Sequence, residues 1–289
     1  MSDLSYQELW DRHLDTAFDG FLTPLLKKGL TWLPWVGADY GRTPGRILIV
    51  GESHYSNEPV PENVAAKKAE CMKDPKYTRE IVAEYPLEGK DAGWPRNNPT
   101  FDNLHRALLK TDLLCPEEMG KRGLLWKQIG FYNFVQRPMD CGGGRRERPS
   151  PDDFLNGWPI FLEVVRVLRP RTCIFLGVGA SNLFNRAMEN MGIEHTAVGW
   201  GESINRVYRR HGGSLTVDGN PTQLLFMQHT SQFFSWKLWN EYLEVNMAES
   251  MKHLRQTVMG GQAPRRDECS QRAEPISDNR KGTIDLEKI

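Results

Sequence analysis

The sequence has no excess of charge of either sign and no long hydrophobic run. Lysine plus arginine equals aspartate plus glutamate, at 37 each, so any nucleic-acid contact must come from a local basic surface and not from bulk charge. No segment approaches the roughly 18 uninterrupted apolar residues that a membrane span needs. The N-terminus also lacks the basic start and apolar stretch of a signal peptide. We therefore expect a cytoplasmic protein without membrane contact.

Cysteine is scarce, and the common cofactor signatures are missing. The five cysteines are scattered, with no C-x-x-C pair to begin a zinc or iron–sulfur site, which favours free thiols in a reduced compartment. The glycine-rich segment 142–151 is not followed by Gly-Lys-Ser/Thr, and "GVGASN" at 177–182 does not fit a dinucleotide-binding fingerprint. We predict no metal and no cofactor.

Four short apolar runs are present, at 46–50, 129–135, 172–177 and 223–229. They are continuous and not alternating, which is typical of strands buried on both faces. Helical patterns separate or follow them, at 61–73, 101–114, 152–168, 179–191 and 235–257. This alternation predicts an α/β fold: a three-layer α/β/α arrangement with a central, mostly parallel four-stranded sheet.

The two ends of the chain differ from this pattern. Residues 6–26 place apolar side chains at helical spacing, which predicts an N-terminal helix bent near Pro24. We expect this helix and the following loop, 1–43, to pack on a single domain of residues 44–258. The remaining residues, 259–289, lack periodicity and large apolar side chains, so a flexible polar tail is expected. We expect a monomer.

Polar or glycine-rich loops follow all four predicted strands, where open α/β sheets bind their ligands. "GESHYSNEP" supplies Glu52, Ser53, His54 and Tyr55, and "HTSQFFSW" supplies His229. A helix-capping turn and a buried, satisfied histidine are the structural alternatives. Two such loops at one sheet edge instead favour a catalytic site.

Three other features admit two interpretations each. Asn133 lies in an apolar run, where its carboxamide either makes a structural hydrogen bond or reads a nucleobase edge. The loop 142–151 contains three arginines, which are either solvated or bind phosphate. The aromatic residues 233–239 either pack in the core or supply one or two rings that stack on a base or wedge into a duplex.

Taken in order, these motifs resemble the uracil-DNA glycosylase superfamily over about residues 44–245. "ILIVGESHY" is similar to its first motif, "NPTFDNLHRALL" to the proline-containing loop and helix, and "GFYNFVQRP" to the strand with the base-reading asparagine. "FLEVVRVLRPRTCIFLGVGAS" is similar to the next helix and strand, and "MQHTSQFF" to the second motif, His-Pro-Ser.

The chain departs from the family at several positions. Its central part is most similar to the iron–sulfur branch, but that branch's cysteines are missing around Gln136 and Trp158, so no cluster is expected. Ser53 stands where the best-known branch has a water-activating aspartate. Thr230 replaces the proline of the second motif.

The resemblance implies a DNA glycosylase, which flips a nucleotide out of the duplex and hydrolyses its N-glycosidic bond. It implies catalytic roles for Glu52, His54, His229 and Ser53, and base contacts from Asn133, Tyr55 and Phe101. DNA-backbone contacts would come from Ser231, Arg137, Arg145 and Arg146. In the family branch with this tyrosine, its ring walls off the C5 position of uracil.

The expected substrate is a modified pyrimidine, such as the hydroxymethylated or glucosylated cytosine of phage DNA, in an antiviral role. Three alternatives remain at this point. They are uracil excision in DNA repair, a non-catalytic nucleic-acid-binding protein of the same fold, and a small-molecule hydrolase that uses the same loops.

Overall fold

The fold is built on a mostly parallel β-sheet with helices on both faces. A computed structural model describes residues 5–56, 61–87, 99–111, 113, 119–140, 147–199, 201–204, 212–231 and 233–260. Its strands are β1 (Trp35–Val36), β2 (Ile47–Gly51), β3 (Tyr55–Ser56), β4 (Ile129–Asn133), β5 (Met139–Asp140), β6 (Thr172–Leu176), β7 (Glu194–Thr196), β8 (Gly213–Val217) and β9 (Asn220–Met227).

The described part of the chain forms a seven-stranded sheet in the order β1-β4-β2-β6-β9-β8-β7, while β3 and β5 make a separate pair. The four predicted strands are confirmed as β2, β4, β6 and β9, which lie side by side and parallel. The predicted total of four is wrong, because short antiparallel strands extend both edges. These edge strands have no continuous apolar run: β1 has two residues, and β8 alternates buried and half-buried residues.

The helices of the described residues surround this sheet. They are α1 (Tyr6–His13), α2 (Asp19–Leu22), α3 (Pro61–Lys73), α4 (Tyr77–Val82), α5 (Pro99–Leu109), α6 (Met119–Gln128), α7 (Pro151–Leu168), α8 (Phe184–Met191) and α9 (Trp236–Met259). The five helices predicted after the first strand are confirmed as α3, α5, α7, α8 and α9. A 3-10 turn, Gly179–Leu183, precedes α8, and a π-helical turn, Ala83–Leu87, follows α4.

The predicted single N-terminal helix, bent near Pro24, is wrong. The helix ends at His13, and Leu14 has extended dihedral angles and pairs with Gly37 in an isolated antiparallel bridge. The Asp15 carboxylate then caps a 3-10 turn by accepting from the Ala17 amide. Pro24 lies at the start of another 3-10 segment, Thr23–Lys28, where a missing amide hydrogen costs little.

Alternate residues of β2 point to opposite faces of the sheet, as the pleat requires. Leu48 and Val50 pack in a core that includes residues of α7 and α8, whereas Ile47 and Ile49 pack in a core with residues of α5, α6 and α9. This is compatible with a three-layer α/β/α arrangement. The segment before residue 44 contributes β1 to the same sheet.

Three further sequence predictions concern membrane helices, cysteines and the tail. Among the described residues, none of the helices combines the length and the apolar character that crossing a bilayer requires. Cys71 and Cys173 are free, buried thiols. Residues 261–289 of the predicted tail lie outside the described residues.

Candidate functional site

A cavity of about 700 Å³ lies where the parallel strands end. It is lined by Gly51, Glu52, Ser53, His54, Tyr55, Tyr77, Ile81, Tyr85, Pro99, Thr100, Phe101, Phe131, Asn133, Arg148, Leu176, His229, Ser231 and Phe233. The structure therefore brings together the predicted site residues of β2, β4, α5 and the loop after β9. Arg137 is not in this lining, and Arg145 and Arg146 lie outside the described residues.

Glu52 directly follows β2 and is half-buried at the cavity wall. Its backbone carbonyl accepts a hydrogen bond from the Val135 amide at 2.9 Å, which holds the turn against the segment after β4. The Tyr55 hydroxyl donates to Glu52 Oε2 at 3.1 Å. No lysine or arginine in the described part of the chain forms an ion pair with this carboxylate. A carboxylate without a countercation from the described ranges therefore faces the cavity.

Ser53 also lines the cavity, but its hydroxyl has backbone partners. Its Oγ lies 2.9 Å from the Arg137 carbonyl oxygen and 3.1 Å from the carbonyl oxygen of the next residue, His54. The hydroxyl can donate to these acceptors and so ties the turn after β2 to the connection between β4 and β5. Ser53 thus makes structural contacts through its hydroxyl.

The His54 imidazole is buried in a polar and aromatic enclosure. Its Nε2 lies 2.8 Å from Thr78 Oγ1, and its ring packs edge-on against Trp32 and Tyr77, with centroids 4.7 and 4.8 Å away. Burial lowers the pKa of His54 to about 3, because desolvation disfavours the charged ring. At neutral pH this imidazole is uncharged and is poorly suited to take up a proton.

Asn133 is the last residue of β4, is 4% exposed, and lines the cavity. No hydrogen bond joins its carboxamide to any residue of the described ranges, although its backbone carbonyl accepts from Gln136 Nε2. A buried carboxamide without a partner is costly unless a ligand supplies one. Neighbouring Gly51 leaves room for it: a Cβ there would lie 2.2 Å from Asn133 Oδ1.

His229 follows β9 and is oriented by its own loop. The Ser231 amide donates to His229 Nδ1 at 3.3 Å, so the neutral ring carries its proton on Nε2. Asn103 in α5 holds this loop, because its Nδ2 donates to the carbonyl oxygens of Thr230 and Ser231 at 2.8 and 3.1 Å. The second predicted motif is thereby attached to the helix of the proline-containing motif.

Phe101 gives the cavity an apolar aromatic surface. It is 5% exposed and packs against Trp126 and Phe131, with ring centroids at 5.6 and 5.8 Å. Phe131, two residues before Asn133 on the same strand, lines the cavity as well. Aromatic surfaces of this kind offer a stacking partner to a planar ring.

One wall of the cavity was not predicted from the sequence. Tyr77, Ile81 and Tyr85 line it from α4 and the following π-helical turn. Their spacing of four residues, which puts them on one helical face, is the signal that marks this wall in the sequence. Phe131 and Leu176 lie in strands and read as core residues, so no sequence signal separates them from other core positions.

Two arginines near the site have opposite environments. Arg137 donates from Nε and Nη2 to the Asp153 carboxylate at 2.6 and 2.8 Å and from Nη1 to Glu147 at 2.7 Å. Hydrogen bonds with Asp153 and Glu147 raise the pKa of Arg137. Arg148 is exposed, lines the cavity, and makes no ion pair with any residue that the structure describes. Arg148 is therefore the better placed of the two for an external anion.

Phe233 projects from the rim of the cavity. It is 90% exposed and has a positive φ of 61°, which is rare for a residue with a large side chain. The rings of Phe234 and Trp239, in contrast, stack on each other in the buried core. The aromatic run 233–239 thus divides between the core and the surface.

The combined site offers a carboxylate, a carboxamide without a hydrogen-bond partner among the described residues, and an imidazole with a proton on Nε2. These groups can stabilise positive charge, pair with a planar amide-like edge and donate to developing negative charge. In the described ranges, no group of three or more histidine, cysteine, aspartate or glutamate side chains is arranged to hold a metal ion.

Comparison of the sequence with known proteins does not identify a family. No protein-family model matches the sequence, and no curated protein matches it significantly. The functional interpretation therefore depends on the motifs and on the chemistry of the cavity.

Proposed function

We propose that this protein is a DNA glycosylase that flips a modified pyrimidine into the cavity and hydrolyses its N-glycosidic bond. The observation that carries the proposal is the pairing of two unusual groups in one cavity. The Glu52 carboxylate has no countercation, and the Asn133 carboxamide has no hydrogen-bond partner, among the described residues. A flipped nucleotide supplies a partner for each group. Its sugar carries positive charge during bond cleavage, and its base has a hydrogen-bonding edge.

The chemistry assigns a role to each group. As the glycosidic bond breaks, the sugar becomes oxocarbenium-like and the base leaves with negative charge. Glu52 stabilises the cation or positions the attacking water, and His229 donates its Nε2 proton in a hydrogen bond to the base oxygen. Asn133 pairs with the base edge, while Phe101 stacks on its face.

His54 and Ser53 take supporting roles in this proposal. The buried, uncharged His54 ring and the Ser53 hydroxyl both make structural contacts. They hold the turn in the shape that presents Glu52. This differs from the direct catalytic roles that the resemblance implies for them.

The rim of the cavity suits contact with DNA. Ser231 and Arg148 can bind phosphate oxygens, because a hydroxyl and a guanidinium without an ion pair to any described residue are available there. Phe233 is exposed enough to enter the space that a flipped nucleotide leaves in the duplex.

The size of the cavity favours a modified base. A volume of about 700 Å³ leaves room beyond a single pyrimidine ring. Hydroxymethylated or glucosylated cytosine fits this description, which would give the protein an antiviral role. Uracil excision is the alternative, and Tyr55 in the cavity wall is the feature that favours it.

The test uses double-stranded and single-stranded oligonucleotides with one uracil, one hydroxymethylcytosine or one glucosylated hydroxymethylcytosine. After incubation, alkali cleaves each abasic site, and the single-turnover rate is measured. We expect scission of a modified-cytosine strand, and a loss of at least about 100-fold for Glu52→Gln and for His229→Ala. Glu249→Gln, which replaces an exposed residue of α9, is the matched control.

Each contrary result identifies another function. Scission of uracil DNA alone supports the repair alternative. Binding of the oligonucleotides without scission, with wild type indistinguishable from Glu52→Gln, overturns catalysis and leaves a non-catalytic nucleic-acid-binding protein. Neither binding nor scission on any strand rejects the nucleic-acid proposal as a whole.

A further inference from the structure

The Tyr55 hydroxyl and the Glu52 carboxylate make direct contact at the cavity wall. The phenol oxygen lies 3.1 Å from Glu52 Oε2 and donates the hydrogen bond. Both residues have fixed backbones. The Glu52 carbonyl accepts from the Val135 amide, and Tyr55 pairs with Met139 in the small β3–β5 sheet. The two side chains therefore meet because both ends of the turn are anchored to the connection after β4.

The other carboxylate oxygen lies close to the end of β6. Glu52 Oε1 is 3.6 Å from the point where a Cβ on Gly177 would be. Gly177 has a φ of 144°, a conformation that residues with side chains rarely adopt. The carboxylate thus lies between the Tyr55 hydroxyl on one side and a backbone without a side chain on the other.

Within the described ranges this is the one side-chain hydrogen bond to the Glu52 carboxylate. A carboxylate that stabilises a transient cation is most effective when its orientation is set before the reaction, since no reorganisation is then needed. A phenol is a suitable partner because it donates a hydrogen bond without bringing a positive charge that would oppose the cation.

We infer that Tyr55 is a positioning residue that fixes the Glu52 carboxylate through its hydroxyl. The inference rests on the proposed function, because it concerns the group that would stabilise the sugar cation. It differs from the role that the family resemblance gives this tyrosine, in which the ring excludes a C5 substituent. The ring role needs only the aromatic face, whereas the positioning role needs the hydroxyl.

A kinetic experiment separates the two roles. Tyr55→Phe keeps the ring and removes the hydroxyl, so we expect kcat to fall about 10- to 100-fold with KM changed less than about twofold. In a Glu52→Gln background the same substitution should change kcat less than about twofold, because its partner is already altered. Tyr40→Phe, in the buried core outside the cavity, is the control.

A spectroscopic measurement tests the contact without relying on activity. Protein labelled with 13C at tyrosine Cζ is compared as wild type, Glu52→Gln and Glu249→Gln, with the Tyr55 signal identified by its loss in Tyr55→Phe. The Tyr55 signal should shift in Glu52→Gln and stay in place in Glu249→Gln.

The two measurements together give separable outcomes. An unshifted Tyr55 signal in Glu52→Gln, or full kcat in Tyr55→Phe, overturns the positioning role. If the signal shifts but the wild-type protein cleaves no glycosidic bond, the contact is real, and the inference falls with the proposed function. The positioning role is supported if the signal shifts, kcat falls in Tyr55→Phe, and the effects of the two substitutions on kcat are not additive.

Discussion

Gly51 and Asn133 show how a single residue can shape the cavity. Their positions pair across β2 and β4, and the Asn133 carboxamide occupies the space above Gly51 where a side chain would otherwise lie. The backbone φ of Gly51 is not positive. Its lack of a side chain therefore matters for space and not for conformation.

Replacing Gly51 tests this close approach. In Gly51→Ala the new Cβ would lie 2.2 Å from Asn133 Oδ1, so the carboxamide must move. We expect kcat/KM on the cleaved substrate to fall about 100-fold, because the recognition group is displaced. The free energy of unfolding should fall by about 1–3 kcal/mol, because the added methyl group overpacks the site. Gly20→Ala is the control, because a Cβ there meets nothing within 4 Å. Full activity in Gly51→Ala would show that Asn133 does not need its present position.

His54 makes the stability of the fold depend on pH. Burial holds its pKa in the folded protein at about 3, well below its unfolded value near 6.5. Its stabilising contribution is therefore complete above pH 6.5 and is lost as pH falls toward 3. The unfolded chain takes up a proton in this range, and the folded chain does not.

The expected loss between pH 6.5 and 5 is about 2 kcal/mol, at about 1.4 kcal/mol for each pH unit. Urea unfolding at the two pH values measures it. His54→Phe should abolish this part of the pH dependence, although it also removes the hydrogen bond to Thr78. His253→Phe, on α9, should keep the wild-type difference. Equal pH dependence in wild type and His54→Phe would contradict the buried, uncharged state.

At the level of elements, β8 is a strand that no continuous apolar run reveals, although its hairpin partner β9 has one. Asp218 and Gly219 connect the two strands, both with positive φ, at 49° and 75°. Asp-Gly between two strands is a strong hairpin signal. Looking for that turn, and not only for apolar runs, predicts β8 and its antiparallel pairing.

Gly219→Ala tests whether the turn stabilises this edge. The substitution forces a side chain into a left-handed conformation, so we expect a loss of about 1 kcal/mol and a lower Tm. Gly120→Ala is the matched control, because it lies in α6 with nothing near a Cβ and no positive φ. Alanine there should be neutral or stabilising. Equal effects of the two substitutions would indicate that the turn geometry does not matter.

For the whole molecule, charge balance limits how the proposed binding to DNA could occur. With no net charge, binding must depend on a few local cations. Arg137 is already paired with Asp153 and Glu147, whereas Arg148 lines the cavity without an ion-pair partner among the described residues. Arg148 is thus the cation that we expect to contact phosphate.

Arg148→Ala should weaken DNA binding at low salt and reduce the slope of log K against log salt by about 1. Fluorescence anisotropy with a labelled duplex at several salt concentrations gives this slope. Arg186→Ala removes another exposed arginine, on α8 and outside the cavity lining, and should leave the slope unchanged. An unchanged slope for Arg148→Ala would remove this residue from the DNA-contact surface.

The sequence by itself determined the parallel core of this protein and the residues at its edge. Continuous apolar runs mark strands buried on both faces, which is why β2, β4, β6 and β9 are predictable from local pattern. The same pattern puts Glu52, Asn133 and His229 after strand ends, where parallel strands bring them to one edge.

Only the tertiary structure decided what those side chains touch. The Tyr55–Glu52 contact, the enclosure of His54 and the pairing of Arg137 with two carboxylates depend on side-chain directions and on residues distant in the chain. Local pattern carries no information about such directions. The short strands β1 and β7 also needed tertiary structure, because partners across the sheet stabilise them more than their own two or three residues do.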